Sequence, residues 1–341
     1  MAPNSTSPQS HPTVTVVVPT LAAGEPLAEC LESLERQTFQ DFEIVVVDNS
    51  GELQIPPGGR LSVVVNSKNV GFGAAVNQGI NGSAAPFIAA LNDDATVDPH
   101  WLEALVAAME SRPDVGMCAS RICLASDGRL DSAGMLLGMD GSSKQRGHLE
   151  SPEDYARREE ALLPSGCAAF YRREMLEEIG LFDESFFLYC EDTDLGLRAR
   201  WAAWECLYVP DAKVRHRYSH SAGGASALKA YYVERNRLYT AIKNLPLPML
   251  LRAPFFSVAR YFWHLASILE GRGKVAEYRE AGHSAVLLPF LVVRAHVSAL
   301  FRLPRLLADR RRIHKSARLN PREFRDLLAQ YSITIRQVAA L

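Results

Sequence analysis

The sequence predicts an α/β fold with a doubly wound sheet, because short apolar strands alternate with helical segments along the first part of the chain. Four runs have the length and the largely apolar character of strands in a buried sheet. They are Val14–Val18, Ile44–Val47, Leu61–Val65 and Phe87–Leu91. Apolar residues at helical spacing lie between them, from Leu27 to Leu34 and from Gly73 to Ile80. This alternation indicates parallel strands joined by crossover helices.

Composition places the chain among globular proteins with a large core. Of its 341 residues, 48% are hydrophobic and 22% are charged, which excludes a disordered, collagenous or coiled-coil protein. The formal net charge of -2 gives no overall field that would attract nucleic acid. The six cysteines are scattered without a CxxC motif, so we expect reduced thiols and no disulfide framework.

The pattern divides the chain into three segments. Residues 1–12 are rich in Ser, Pro, Asn and Thr, which predicts a disordered leader and not a secretion signal. Residues 13–244 carry the alternating strands and helices. Residues 245–341 carry apolar helical segments followed by many basic residues. No window reaches the roughly 18 uninterrupted apolar residues that span a bilayer.

Beyond the fourth strand the alternation is less regular. We predict a helix from Pro99 to Ser111, an irregular stretch from Ser126 to Glu150, and a further helix from Arg173 to Ile179. The apolar run from Cys206 to Val209 predicts another strand, which is followed by His216 in a loop.

Polar residues stand where the predicted parallel strands end. Thr20, Asp48 and Asp94 all occupy such positions, and ligands of these sheets bind beyond the carboxyl ends of the strands. The segment Asn92-Asp93-Asp94 also offers two adjacent carboxylates, which suit a hard divalent cation with an open side for a phosphate. An Asp-rich turn before the next helix is the plainer interpretation of the same residues.

A second acidic segment opens a predicted helix after an aromatic run that ends at Cys190. Glu191, Asp192 and Asp194 would cap this helix and complement its dipole. A carboxylate fixed beside an apolar wall is also a suitable general base. The residues alone leave both interpretations open.

Two further features are weaker signals. A lone histidine such as His216 is usually solvated or paired with a neighbour, although it could complete a metal shell begun by Asp94. Gly71 and Gly73 allow the backbone to approach a ligand, or they form a tight strand-to-helix turn.

Taken in order, these segments resemble glycosyltransferase family 2, whose members are inverting transferases with the GT-A fold, and its bacterial rhamnosyltransferase-like branch in particular. The matching segments are Val16–Thr20, Val46–Ser50, Asn69–Gly73, Leu91–Ala95, Pro164–Cys167, Gly180–Glu184, Phe186–Phe187 with Glu191–Leu195, Val214–His216, and Tyr231–Tyr232 with Arg235–Arg237. The resemblance covers about Val14 to Asn244. No single segment is specific, but the ordered set is.

The resemblance implies a GT-A mixed sheet in residues 13–244, with a C-terminal helical extension in residues 245–341. It implies that Asp94 and His216 bind Mg²⁺ or Mn²⁺, that Asp192 is the general base and that Glu191 supports it. Asn92 replaces the first acidic residue of the metal motif of the family, so Asp94 is the better direct ligand. The implied substrate-binding residues are Thr20, Asp48, Asn69, Gly71, Phe72, Asn92, Asp93, Gly166 and Arg237.

The implied activity is an inverting sugar transfer from a nucleotide-sugar donor to a glycan or lipid-linked glycan, in bacterial surface polysaccharide synthesis. L-Rhamnose from a dTDP donor is the first choice, and galactofuranose or another hexose is the alternative. A nucleotidyltransferase would carry a Gly-rich basic motif near the first strand, whereas Leu21–Pro26 has no Arg or Lys. A non-catalytic sugar-nucleotide binder in an assembly is the third possibility.

The region after Leu245 has two interpretations. Its amphipathic helices bury their apolar sides against the transferase domain, or they dock on the anionic inner leaflet of the cell membrane. We therefore expect a cytoplasmic protein, either in solution or at the inner face of that membrane. A homo-oligomer is left open.

Overall fold

The structure of the protein is a computed structural model that describes residues 11–22, 24–53, 55, 57–217, 226–269 and 287–340. Nearly all of the predicted leader, residues 1–10, lies outside the described residues.

Within the described residues, a ten-stranded mixed sheet forms the centre of the fold. Its strands are β1 (Val14–Thr20), β2 (Phe42–Asp48), β3 (Leu61–Val65), β4 (Phe87–Leu91), β5 (Ala95–Val97), β6 (Val115–Leu124), β7 (Leu130–Ser132), β10 (Glu159–Glu160), β11 (Ala168–Arg172) and β12 (Glu205–His216). β3, β2, β1 and β4 lie side by side and run parallel. β11 is antiparallel to both of its neighbours, β4 and β6. The four predicted strands are confirmed as β1 to β4, but β3 lies at the edge of the sheet and is only partly buried.

Helices cover both faces of this sheet. They are α1 (Glu25–Glu35), α2 (Phe72–Asn81), α3 (Trp101–Glu110), α4 (Arg173–Ile179) and α5 (Glu191–Trp201) in the sheet-forming part, followed by α6 (Ala227–Asn244), α7 (Leu247–Leu269), α8 (Leu288–Ser316), α9 (Pro321–Gln330) and α10 (Ile335–Ala340). The predicted helices at residues 73–80, 99–111 and 173–179 are confirmed as α2, α3 and α4.

The central strand β1 shows why the sheet is buried on both sides. All seven of its residues are buried, and successive side chains of a strand point to opposite faces. Val16 and Val18 pack in one core cluster with Leu34 of α1. Val17 packs in a second cluster with Val76 of α2. The valines of β1 therefore contribute to two separate cores, one on each face of the sheet.

The stretch from Ser126 to Glu150 is not irregular as predicted. It contains β7 and two strands of a second sheet, β8 (Met135–Gly138) and β9 (Ser143–Gln145). The third strand of that sheet, β13 (Ser332–Ile333), comes from the C-terminal region and pairs with β8. Strands of two to four residues are too short to show a period, and β8 and β13 are far apart in sequence. These two facts explain the wrong prediction.

The C-terminal helices pack on the sheet-forming part. The indole of Trp201 in α5 donates a hydrogen bond to the backbone oxygen of Asn244, 2.9 Å away, and stacks on Phe324 of α9 with 3.8 Å between ring centroids. Arg310 of α8 donates to the backbone oxygens of Ile242 and Leu245. The division at residues 244 and 245 stays a prediction. None of the helices in the described ranges has the length and hydropathy of a membrane span.

Candidate active site

The carboxyl ends of β1, β2 and β4 bring several predicted residues to one edge of the sheet. Thr20 and Asp48 are paired in register at the ends of β1 and β2. The hydroxyl of Thr20 donates to Oδ2 of Asp93, 2.6 Å away, in the turn after β4. Sequence reasoning therefore located this edge correctly.

Asp48 organises the loop that follows β2. Its Oδ1 accepts hydrogen bonds from the backbone N–H and the hydroxyl of Ser50, at 2.7 and 2.6 Å, and its Oδ2 accepts from the backbone N–H of Leu53 at 2.9 Å. Burial acts to raise the pKa of Asp48, but these hydrogen bonds outweigh it and lower the pKa. The carboxylate is thus anionic at neutral pH. Its contact with a nucleotide base stays a prediction.

The segment from Asn69 to Phe72 lies against the loop before α5. The side chain of Asn69 accepts a hydrogen bond from the N–H of Gly71, and the N–H of Phe72 donates to the backbone oxygen of Phe187 at 2.8 Å. Gly71 has φ +90°, and a Cβ added there would lie 2.3 Å from that oxygen. Glycine is required at this position because the two backbones approach so closely.

His216 is the last residue of β12, and not a loop residue as predicted. β12 pairs with β5 so that His216 stands opposite Ala95, which follows Asp94 in the chain. Nε2 of His216 lies 3.3 Å from Oδ1 of Asp94, and Nδ1 lies 2.8 Å from Oδ2 of Asp131. The register of a strand pair thus brings together two residues that are far apart in sequence.

Asp131 is a site residue that the sequence analysis missed. It lies in β7, within the stretch taken as irregular, and no motif marks it. Nδ1 of His148 also lies 3.2 Å from Oδ1 of Asp131. Histidines that bind metals usually donate their other ring N–H to a carboxylate, which fixes the orientation of the ring. Asp131 stands in that relation to His216.

Asp94 and His216 fit the protein side of a Mg²⁺ or Mn²⁺ site of the open kind. Such cations often take one or two carboxylates from the protein and the rest of their ligands from water and substrate phosphates. No group of three or more His, Cys, Asp or Glu side chains within the described ranges has the arrangement of a metal site, so a closed, all-protein site is not formed there.

The groups around His216 also favour the positively charged form of its imidazole. Burial acts against the charged imidazole, but Cys167, Asp131 and Asp94 outweigh it and raise the pKa of His216. The carboxylates that favour a proton here would equally favour a divalent cation.

Glu191 and Asp192 begin α5 as predicted. Oδ2 of Asp192 accepts a hydrogen bond from the N–H of Gly166 at 2.8 Å, and Oδ1 accepts from the N–H of Thr193 at 2.6 Å. Oε2 of Glu191 is buried and has no hydrogen-bond partner in the part of the chain that the structure describes. Burial and the neighbouring charge of Asp192 raise the pKa of Glu191 to about 8. Burial also raises the pKa of Asp192, against the effect of its hydrogen bonds.

The backbone that leads to this pair is strained. Phe187, Tyr189 and Cys190 have φ of 64°, 69° and 65°, values that side chains other than glycine rarely adopt. The side-chain amide of Asn236 in α6 lies 2.7 to 2.9 Å from the backbone oxygens of Phe186, Leu188 and Tyr189, as their donor. These contacts hold the loop in place. Asn236 belongs to a segment of the family resemblance, but the sequence analysis gave it no role.

One turn joins the two acidic segments. The N–H of Gly166 contacts Asp192, and the backbone oxygen of the next residue, Cys167, accepts from the N–H of Asn92 at 2.8 Å. The thiol of Cys167 is a hydrogen-bonding neighbour of His216. The predicted metal ligands and the predicted base therefore border the same turn.

The structure contradicts the prediction that Arg237 contacts substrate. Its side chain is 2% exposed, and it donates to the backbone oxygen of Asp140 at 2.7 Å and to Oε1 of Glu234 at 2.5 Å. Arg260 of α7 pairs with the carboxylates of the same two residues. Arg237 therefore belongs to a buried ion network that joins α6 to α7. The resemblance alone could not distinguish such a buried residue from a substrate ligand.

A cavity of about 700 Å³ lies away from these residues. It is lined by parts of α7, α9 and α10 and by β8, with Met139, Phe256 and Trp263 among its apolar side chains. None of the predicted site residues lines it.

A comparison with protein families gives a match at the segments described above. The sequence model of glycosyl transferase family 2 matches residues 15–180. These residues, just under half of the chain, belong to glycosyltransferase family 2. The matched residues include the edge with Thr20, Asp48 and Asp94 and the turn at Gly166, but they end before α5, so the family match itself does not reach Asp192.

Individual relatives and solved structures agree with this assignment. The chain is 29% identical over 247 residues to the N-acetylglucosaminyl-diphospho-decaprenol L-rhamnosyltransferase of Mycobacterium tuberculosis. The matched region covers 64% of this chain and 80% of that protein. It is also 29% identical over 236 residues to the uncharacterized protein y4gI of Sinorhizobium fredii. This matched region covers 63% of this chain but only 25% of that protein.

The crystal structure of GalNAc-T7 with UDP, GalNAc and Mn²⁺ superposes with a TM-score of 0.56 at 16% identity, over 80% of this chain and 55% of that chain. At this identity the likeness concerns the fold. The predicted GT-A fold with a C-terminal helical region is confirmed.

Proposed function

We propose that this family 2 protein transfers a sugar from a nucleoside-diphosphate donor to a hydroxyl group of a glycan or lipid-linked glycan, with inversion at the anomeric carbon. The observation that carries the proposal is the turn at Gly166 and Cys167, because it borders a carboxylate–histidine pair on one side and a buried carboxylate pair on the other. Such a site can hold a leaving diphosphate and remove a proton at the same time.

We propose dTDP-L-rhamnose as the donor. The Mycobacterium tuberculosis relative is named as an L-rhamnosyltransferase, which supports this choice over the alternatives, galactofuranose or another hexose. The proposed setting is bacterial surface polysaccharide synthesis, in the cytoplasm at the inner face of the membrane.

The donor lies, in this proposal, along the edge of the sheet. Asp94 and His216 hold Mg²⁺ or Mn²⁺, which when bound neutralises the charge that develops on the leaving diphosphate. Asp131 orients the imidazole. Asn92 and Asp93 lie beside the same site. The pocket for the base and ribose is lined by Thr20, Asp48, Asn69, Gly71 and Phe72.

The acceptor lies on the side of α5. Asp192 removes the proton of the acceptor hydroxyl while its oxygen bonds to the anomeric carbon. The bond from that carbon to the diphosphate oxygen breaks, and its electron pair leaves with the diphosphate. A single displacement from the opposite face inverts the configuration. Glu191 favours the step, because its buried carboxyl group holds a proton at neutral pH and so leaves Asp192 ionised as the base.

A panel of sugar nucleotides tests the proposal. The protein is incubated with each donor, with and without Mn²⁺, and slow hydrolysis is followed by release of the nucleoside diphosphate. We expect dTDP-L-rhamnose to be consumed with Mn²⁺ present, and consumption to be strongly reduced in Asp192→Asn. Release of pyrophosphate from a nucleoside triphosphate and a sugar phosphate would instead indicate a nucleotidyltransferase. Nucleotide binding without turnover of any donor, even with acceptor glycans added, would indicate a non-catalytic binder.

A further inference from the structure

Two helices of the C-terminal region carry exposed apolar stripes. On α7 the exposed large hydrophobic residues recur at intervals of three and four, which places them on one face of the helix. They are Leu247, Leu251, Phe255, Val258, Phe262 and Leu265, each between 56% and 77% exposed. On α8 the corresponding residues are Phe290, Val293, Val297, Leu300, Phe301 and Leu307, with Phe301 at 85%.

Soluble proteins normally expose large apolar residues singly, whereas each of these stripes groups six of them on one helix. The stripe on α7 extends over 19 residues, or about 27 Å at the rise of an α-helix. Contiguous exposed apolar surface of this kind marks an interaction site. The opposite faces are buried, as shown by Ala253 and Ser257 of α7 and by Ala295 and Ala299 of α8.

The charged residues around the stripes indicate a negatively charged partner. The sequence of α7 contains no Asp or Glu, and that of α8 contains Asp309 alone. The basic residues of α8 are Arg294, Arg302, Arg305, Arg310, Arg311, Arg312 and Lys315. Arg305, Arg311 and Arg312 are exposed. An apolar stripe flanked by exposed arginines is complementary to a surface that is apolar beneath a layer of negative charge.

Other occupants fit less well. A second copy of the chain would bring the same arginine-rich α8 face against itself, and like charges repel. The residues between the two helices, 270–286, contain Val275, Tyr278 and Val286 as their large apolar or aromatic residues, too few to cover both stripes.

We propose that α7 and α8 dock the protein on the surface of a bilayer that contains anionic lipids. The apolar stripes lie at the boundary of headgroups and acyl chains, and the arginines contact lipid phosphates, as is typical of interfacial amphipathic helices.

The docking helix is connected to the candidate active site by packed side chains. The guanidinium of Arg294 in α8 lies 4.5 Å from the ring centroid of Tyr231 in α6. Tyr231 packs on Tyr232, and Tyr232 stacks on Phe187, each with 5.2 Å between ring centroids. Phe187 belongs to the strained loop before Asp192. A docked protein would thus hold its acceptor side near the bilayer. That consequence rests on the proposed transfer to a lipid-linked acceptor, whereas docking itself does not.

Vesicle sedimentation of the full-length protein tests the docking. Vesicles of phosphatidylcholine alone are compared with vesicles of phosphatidylcholine and phosphatidylglycerol, without donor or acceptor. We expect binding to the anionic vesicles that weakens as salt is raised. Phe262→Ser on α7 and Phe301→Ser on α8 should each weaken binding about tenfold or more, since each removes a large apolar group from the contact. The matched control is Val65→Ser on β3, which removes a side chain that is 57% exposed and should leave binding unchanged.

The two stripe variants change exposed side chains, so thermal unfolding should show that they stay folded. Absence of sedimentation with anionic vesicles overturns the proposal, as does binding that both serine variants retain. Equal binding to neutral vesicles contradicts the role of the arginines. A dimer in solution that the serine variants dissociate, without vesicle binding, would assign the stripes to a second copy instead. Because no sugar nucleotide is present, this assay can fail while the proposed transfer holds, and the reverse is also true.

Discussion

The two acidic segments of the candidate site have similar composition and opposite electrostatic surroundings. After β4, Asp93 accepts a hydrogen bond from Thr20, and Asp94 lies beside His216, whose pKa is raised by its neighbours. At the start of α5, Glu191 has a buried oxygen without a partner among the described residues, and its pKa is raised to about 8.

The surroundings, and not the residue types, decide what each segment can do. Carboxylates beside a hydroxyl donor and a histidine suit a cation with its diphosphate. Two carboxylates that repel each other in an apolar environment hold a proton near neutral pH, which suits proton transfer. We therefore propose charge stabilisation for the first segment and base catalysis for the second.

The largest expected effect is that of Asp192→Asn. The amide cannot take the proton of the acceptor, so turnover should fall by about 10²- to 10⁴-fold, while the KM for the donor stays close to that of the wild type. Steady-state transfer rates check this. Asp211→Asn, an exposed carboxylate of β12, is the matched control and should be fully active. Turnover close to wild type in Asp192→Asn would remove that residue from the mechanism.

Asp131→Asn should have the next largest effect, although Asp131 touches neither predicted substrate. Loss of the carboxylate that orients His216 typically costs about 10- to 100-fold in metal affinity or activity. The measurement is the Mn²⁺ concentration that gives half-maximal transfer, with Asp127→Asn as the control. A loss of activity that Mn²⁺ does not restore, together with a lowered unfolding temperature, would show a purely structural role.

Asn236→Ala should release the strained loop before α5. It removes the donor to three backbone oxygens, which should lower the free energy of unfolding by about 1–3 kcal/mol and turnover by about tenfold. Since the donor side is untouched, the KM for the donor should not change. Asn81→Ala at the end of α2 is the control. A higher KM for the donor with unchanged turnover would show that Asn236 supports donor binding and not the acceptor side of the site, which contradicts the prediction.

Glu191→Gln should have the smallest effect, a change in how stability depends on pH. A carboxyl group whose pKa is raised from 4.5 to about 8 on folding contributes stability at low pH, and this contribution is lost as the pH rises through about 8. The variant should therefore gain stability relative to the wild type as the pH is raised from about 5 to about 9. Thermal unfolding at several pH values measures this, with exposed Glu177→Gln as the control. Parallel curves for wild type and Glu191→Gln would contradict the raised pKa.

The sequence predicted the parts of the fold that local patterns encode. The bounds of β3, β4 and α4 agree with the predicted ranges, because the two strands are short, largely apolar runs and the helix has a periodic apolar pattern. The edge of the sheet that carries Thr20, Asp48 and Asp94 follows from the same signal.

What the sequence did not predict depends on contacts between distant residues. Asp131 reaches His216 only because β6 lies between β7 and β12 in the sheet. Arg237 lies in a segment of the family resemblance, but it is buried with Asp140 and Glu234 in an ion network that includes Arg260 of α7. The left-handed backbone at Phe187 and Cys190 occurs without glycine, so no residue type indicates it. Each of these features requires the folded chain.

Calorimetric titration with dTDP tests the division of roles most directly. Wild type, Asp94→Asn and Asp192→Asn are compared, each with and without Mn²⁺. We expect Mn²⁺ to strengthen binding in the wild type and in Asp192→Asn, and to have little effect in Asp94→Asn. An equal response to Mn²⁺ in Asp94→Asn, or its loss in Asp192→Asn, would contradict the assignment of cation and proton to separate acidic segments.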